Sequence, residues 1–289
     1  MNWVGLLAIL GIPALLVILL RFWLRRRGIV LSTRWRGLYA LSVWEKRLVR
    51  YAGWLTVRHW AGRRLRGDLP VCLKEHQSPL LRKLGNVDME LQRNKVANLS
   101  IAVERIDGLL VRPGERFSFW RTVGMPSSLR GFKEGLVLVG RETGAEVGGG
   151  LCQLSNLLYW MFLHSPLTVV ERHRHGFDPF PDEGRVLPFG SGATVFYNYL
   201  DLQVSNDTEF TFQLRLWLTL DHLKGQLRCS GQPPYSYHLE EREHAFYGKG
   251  GKTFRRNQIW RRVVDRTTGR LVNVHMVTVN DCEVCYSVD

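Results

Sequence analysis

From residue 193 onward the chain is a succession of strand-like segments with no helical pattern between them: 193–199, 202–205, 210–220, 226–230, 253–265 and 272–279, parted by Gly, Asn, Asp and Pro. Consecutive strands joined by short connections can pair only antiparallel, because a parallel pair needs a crossover of a dozen or more residues. The helical patterns all lie earlier in the chain. The expected fold class is therefore α+β: mainly antiparallel sheet with a few packed helices, one of them starting at a glycine-rich cysteine motif, preceded by an N-terminal apolar and basic helical segment.

The N-terminal segment is set apart by charge. Residues 1–67 carry twelve arginines and Lys46 against one acid, Glu45, so +12 of the chain's net charge of +14 sits there. A nucleic-acid-binding globule carries its basic surface on the folded domain, so no nucleic-acid partner is expected. The partner that fits is the inner membrane, or anionic lipid more generally. Trp3 to Leu20 holds no charge, and Arg21, Trp23 and the run Arg25-Arg26-Arg27 follow it. Residues 1–27 are a transmembrane-anchor candidate, and with every nearby cation on its C-terminal side the main domain is expected in the cytoplasm. A start at Val30 or Leu31 would instead leave a soluble protein. A basic amphipathic helix is expected over 34–66, and Gly67-Asp68-Leu69-Pro70 ends that pattern, so an α+β domain is expected over 67–289.

Within that domain a short strand is expected over 71–74 and a helix over 92–106, with Asn98 and Ser100 interrupting its apolar stripe. Arg112-Pro113-Gly114-Glu115 signals a turn into a strand over 116–120, and a further strand is expected over 136–139. Five cysteines at irregular spacing make no disulfide framework and suit a reducing compartment. Neither the lone Cys282-Glu283-Val284-Cys285 nor Lys249-Gly250-Gly251-Lys252 carries the context of a zinc site or a phosphate cradle.

The densest chemistry lies between Gly144 and His175. Gly148, Gly149 and Gly150 can adopt backbone angles other residues avoid and can let a ligand come close. They lead to Cys152 and Gln153 at a helix start, where the positive end of the helix dipole favours thiolate and free backbone N–H groups can hold an oxyanion. Leu151, Leu154, Leu158 and Met161 form the expected buried side, leaving Cys152 and Ser155 facing elsewhere until Pro166 ends the helix. On a strand from Val169, alternation puts Glu171, His173 and His175 on one face. Either histidine is a candidate base for Cys152, with Asn198, Asp201 or Asn206 orienting the ring. Glu171, Gln153 and the three glycines are the candidate ligand-binding residues. A zinc site at the two histidines with Cys152, Glu171 or Asp178, and a purely structural role for Cys152, compete for the same atoms. No metal or cofactor is assigned.

These residues belong to a larger set. Leu84-Gly85-Asn86-Val87-Asp88-Met89, Arg112 to Trp120, Gly131 to Leu136, Gly148-Gly149-Gly150-Leu151-Cys152-Gln153, His164 to His173 and Pro188-Phe189-Gly190-Ser191-Gly192 together resemble the VanW family in content and order, over about residues 38–280. Cys152, Gln153, His173 and His175 fall within its characteristic segments. The resemblance implies a place in cell-envelope or peptidoglycan metabolism and glycopeptide resistance, and it carries over no catalytic residue. The expectation for function is Cys-His acyl transfer or hydrolysis on an envelope-related peptide or amide. Its alternative is a non-catalytic module that binds a peptidoglycan precursor or an envelope protein.

Overall fold

The computed structural model describes residues 36–81, 89–139, 142–178 and 187–286. The anchor candidate at 1–27 lies outside the described residues; among those described, no helix is long and apolar enough to cross a membrane. The chain divides into two compact units, Met1–Trp54 and Leu55–Asp289. Helix α1 spans Arg36–Thr56. The helical pattern expected to run to residue 66 stops at Thr56, because the backbone beyond it finds other partners. Ala61 N–H donates to Arg116 O at 2.9 Å, Arg116 N–H to His59 O at 3.0 Å and Leu65 N–H to Gly108 O at 2.9 Å. These bonds hold 59–65 extended along the domain.

The domain is α+β and mainly antiparallel. A four-stranded sheet has the order β1 (Val71–Pro79), β10 (His222–Cys229), β9 (Phe212–Leu218) and β2 (Leu110–Val111). Helix α2 (Met89–Ile106) packs on β9, and helix α4 (Cys152–Leu163) packs on β1 and β10. Leu99, Ala102 and Ile106 of α2, Leu154, Leu158 and Phe162 of α4, and Phe212, Leu214 and Leu227 of the sheet are all fully buried. Each large apolar side chain of this set contributes about 1.5–3 kcal/mol of transfer free energy, so the helix stripes and the sheet face stabilise one another. A three-stranded sheet, β3 (Arg116–Ser118), β8 (Gln203–Ser205) and β6 (Thr168–Glu171), joins this core through Phe117, whose ring lies 5.7 Å from that of Phe162.

The strand expected over 116–120 stops at Ser118. The Ser118 hydroxyl accepts from Arg121 N–H at 3.1 Å and caps a one-turn helix, α3 (Phe119–Val123). Strands β4 (Glu134–Val139) and β5 (Glu142–Val147) form a hairpin that leads into the glycine turn. The last sheet is a meander of three long strands, β11 (Tyr235–Lys249), β12 (Lys252–Asp265) and β13 (Leu271–Val284), with β7 (Phe177–Asp178) parallel to β13. Gly250 and Gly251, at φ 60° and 72°, make the two-residue turn between β11 and β12. Positive φ at both central positions is what a type I′ hairpin requires.

Asn98, which breaks the stripe of α2, is fully buried and acts as a clamp. Its Nδ2 donates to Lys133 O and Gly149 O, both at 2.9 Å, and its Oδ1 accepts from Lys133 N–H at 2.8 Å. The clamp holds Gly149 against Gly135 so closely that a Cβ at 149 would lie 2.0 Å from the Gly135 carbonyl oxygen. Backbone cannot yield as a flexible side chain can. Gly149→Ala is therefore expected to cost at least about 3 kcal/mol or to prevent folding, whereas Gly176→Ala, where a Cβ meets nothing within 4 Å, costs less than about 1 kcal/mol. Urea unfolding of both variants against wild type checks this.

Candidate functional site

The three glycines deliver Cys152 by packing against the protein itself. Gly148 and Gly150 have φ of 84° and 91°, and a Cβ at either would lie 2.5 Å from Pro126 Cβ or 2.2 Å from Lys95 Cγ. The space expected for a ligand beside these glycines is occupied by Pro126, Gly135 and Lys95. Gly148 N–H donates to Lys133 O and Gly149 N–H to Glu146 O, both at 2.9 Å. The amides opening α4 are engaged as well: Gln153 N–H donates to Gly150 O at 3.1 Å, and Leu154 and Ser155 N–H to Leu151 O at 3.0 and 3.2 Å. Gln153 is also engaged, its Nε2 donating to Ser78 Oγ at 2.9 Å and Pro79 O at 2.8 Å, which ties α4 to β1.

Helix α4 presents its first two turns to residues 192–195. The Cys152 thiol donates to Val195 O at 3.7 Å, the Ser155 hydroxyl to Ala193 O at 2.6 Å, and Asn156 Oδ1 accepts from Ala193 N–H at 2.6 Å. Ser155, expected on an open face, is fully buried, because α4 is covered on nearly every side. Burial also decides the chemistry of Cys152. Enclosure of the sulfur pushes its pKa up, and the hydrogen bonds at Val195 and at its own backbone offset only part of that rise. Desolvation of the charged form outweighs the dipole at the helix start.

On the other side of the same loop, Thr194 N–H donates to His173 O at 2.9 Å. The strand expected to carry both histidines ends at Glu171, and residues 172–175 run irregularly. The arginines on either side of His173 set that path. Arg172 donates from Nε to Gly192 O at 2.9 Å and also to Gly190 O, with its guanidinium 5.0 Å over the Tyr159 ring. Arg174 donates to Asn280 Oδ1 at 2.6 Å, and Asn280 and Asn257 both donate to Phe189 O. The Pro188 to Gly192 segment is thereby bound to the long meander. His175 stands apart, its ring 6.0 Å from that of Phe177 and its pKa lowered by burial.

The carboxylate on the His173 ring is Glu171, with Oε1 2.8 Å from Nε2. Glu171 Oε1 also accepts from Asp201 N–H at 3.1 Å, and Oε2 from Gln203 Nε2 at 3.1 Å. Asp201 is fully buried. Its Oδ2 accepts from Ser118 Oγ at 2.5 Å and Gln203 Nε2 at 3.0 Å, and its Oδ1 from the Trp120 and Leu202 amides at 3.0 and 2.9 Å. Asp201 thus reaches His173 through Gln203 and Glu171. Asn206 is used by its own turn, donating to Val111 O and Phe210 O. Asn198 differs: its side chain is fully buried, and among the described residues neither its Oδ1 nor its Nδ2 has a hydrogen-bond partner. Gln203, Ser118 and Asn156 are the members of this constellation that sequence reasoning missed. Gln203 had one available signal, an amide two residues from an aspartate at a strand start. Among the described residues, no three His, Cys, Asp or Glu side chains gather as a metal site.

The structure thus defines an α+β domain in which one irregular loop, residues 193–201, joins a helix bearing a buried thiol to a carboxylate-held histidine. A family model described as VanW-like protein matches residues 94–228, a span holding all of these groups. The chain is 36% identical over 220 residues, 75% of its length and 79% of the relative's, to the vancomycin B-type resistance protein VanW of Enterococcus faecalis strain ATCC 700802 / V583. It is 32% identical over 117 residues, 39% of its length and 36% of the relative's, to the uncharacterized protein YoaR of Bacillus subtilis strain 168. No solved structure gives a significant match. The chain belongs to the VanW family.

Because its folded-state pKa is raised, Cys152 contributes stability that is present below the unfolded thiol pKa and lost as pH rises above it. Iodoacetamide labelling of Cys152 in the folded chain is expected to reach half-maximum above the ordinary thiol value of about 8.5, and to move down to it in urea. Mass spectrometry of the Cys152 peptide against pH reads both.

Proposed function

We propose that this protein works at the cell envelope in the response to glycopeptide antibiotics, binding a peptide or amide group of a peptidoglycan precursor or an envelope protein at the 193–201 loop. The resistance role is printed for the enterococcal relative and is carried to this chain through family membership and 36% identity. The observation that carries the binding reading is Asn198, whose fully buried amide has neither its donor nor its acceptor paired among the described residues, so that a ligand meets it when the loop opens. An unmade hydrogen bond in such a place costs about 1–3 kcal/mol per group, and a peptide group, with one N–H and one C=O, answers both. The N-terminal excess of positive charge supports association with anionic lipid, with the main domain on the cytoplasmic side.

A second reading keeps the chemistry. Cys152 and His173 hydrogen-bond to adjacent residues, Val195 and Thr194, of one loop, and Glu171 holds the imidazole. A shift of this loop would offer His173 as base to the thiol for acyl transfer or hydrolysis. The protonated, enclosed thiol favours the binding reading.

Calorimetric titration of the full chain with a soluble peptidoglycan-precursor peptide, with the mixture then analysed by mass spectrometry, separates the two. Wild type and Cys152→Ala are expected to bind alike, and Asn198→Ala about tenfold or more weakly, with the peptide recovered unchanged. A cleaved or transferred product formed by wild type and not by Cys152→Ala would establish the acyl-transfer reading instead. Equal affinity of Asn198→Ala and wild type would end the proposed role of the amide.

A further inference from the structure

The C-terminal half of α4 meets the edge strand β1 and the long meander, and basic groups gather there. Lys74, His76 and Ser78 alternate onto the face of β1 turned toward α4. Ser78 Oγ accepts from Gln153, the His76 ring lies 6.2 Å from the Trp160 ring, and Lys74 Nζ stands 5.8 Å from the same ring. One turn on, the His164 ring lies 4.7 Å from Trp160, its Nδ1 2.8 Å from the Trp160 carbonyl oxygen. From β12, Arg261 donates to the Ser165 carbonyl just past the helix and lies 4.1 Å over the Tyr237 ring. Its Nε is buried with no hydrogen-bond partner among the described residues. His238 and His275 feel the same field.

Among the described residues, no carboxylate answers this charge. On the same strands, Glu75 accepts from Gln226 at 2.7 Å and Glu240 pairs with Arg242. Among those residues, too, Lys74 finds neither a hydrogen bond nor an ion pair. Burial first, then Lys74, His238 and Arg261, bring His164 down to about 4, so the imidazole is neutral near pH 7, with its one N–H at Nδ1 on the Trp160 carbonyl and Nε2 unprotonated. The negative end of α4 accounts for one cation near Ser165. It does not account for Lys74 and Arg261 both acting on the His164 ring with no carboxylate between them among the described residues, an arrangement that an anion would relieve.

We propose that Lys74, His76 and Arg261 form a binding site for a phosphoryl group, with Trp160 and the neutral His164 ring as the wall against which the rest of the ligand packs. The donors come from two strands, β1 and β12, and include an ammonium and a guanidinium, the cations that recognise phosphoryl oxygens. The phosphoryl group belongs either to a soluble phosphate or to a lipid headgroup. This site is independent of the 193–201 loop.

The test titrates the full chain calorimetrically with inorganic pyrophosphate and, separately, with dihexanoyl phosphatidate below its micellar concentration. Saturable binding of one equivalent is expected, about tenfold or more weaker in Lys74→Gln and in Arg261→Gln. Lys74→Gln removes no hydrogen bond within the fold, so it carries the test should Arg261→Gln fail to fold. Tighter binding of the phosphatidate than of pyrophosphate, lost in the same variants, identifies the lipid source; the reverse order identifies the soluble one. Absence of saturable binding of either probe, or binding unchanged in Lys74→Gln, overturns the proposal.

Discussion

One buried carboxylate, Asp201, joins the parts of the fold that meet at the site. A fully buried charge is tolerated only when it is hydrogen-bonded, and Asp201 accepts from Ser118, from the amides of Trp120 and Leu202, and from Gln203. Through Ser118 and Trp120 it fixes the change from strand to helix that turns the chain at α3. Through Gln203 and its own amide it meets Glu171, and Glu171 holds His173. Removing the carboxylate would leave four donors seeking partners inside the protein, a larger loss than the bonds themselves.

The 193–201 loop depends on that frame. It has no sheet of its own; its backbone groups are satisfied by Ser155 and Asn156 of α4, by the backbone of His173, by Glu171 and by a bridge between Phe196 and Leu200. The loop in turn closes over Cys152. Three effects act on that thiol, and the enclosure that raises its pKa is larger than the hydrogen bonds at Val195 and at its own backbone that lower it.

Much of the architecture is legible in the residue pattern alone. The strands in series require an antiparallel sheet, the helical spacing of Val96, Leu99, Ile101 and Val103 marks α2, and glycines at 148–150 announce a tight entry into α4. The features that leave no such trace have physical causes. Strand β11 carries Glu240, Glu241, Glu243 and His244 and buries neither face fully, so alternation gives no signal. Residues 193–199 alternate as a strand does, yet their hydrogen-bond partners lie on a helix and a loop distant in sequence. Ser118 stands in a run that reads as strand, and its cap is visible only with the carboxylate 83 residues away. At the site, residue types and chain order locate Cys152, Glu171, His173 and Asp201. Which carboxylate holds the histidine and what faces the sulfur depend on side-chain directions that chain order does not carry.

The central claim is that Asp201 carries the frame of the fold to the site. Ser118 and Glu171 do not touch, and both reach Asp201, directly or through its amide and Gln203. A double-mutant cycle of Ser118→Ala and Glu171→Ala, read by urea unfolding in the wild-type and Asp201→Ala backgrounds, tests the connection. The predicted result is a coupling of at least about 0.5 kcal/mol with Asp201 present that disappears without it. Additivity within about 0.3 kcal/mol in the presence of Asp201 would contradict the account.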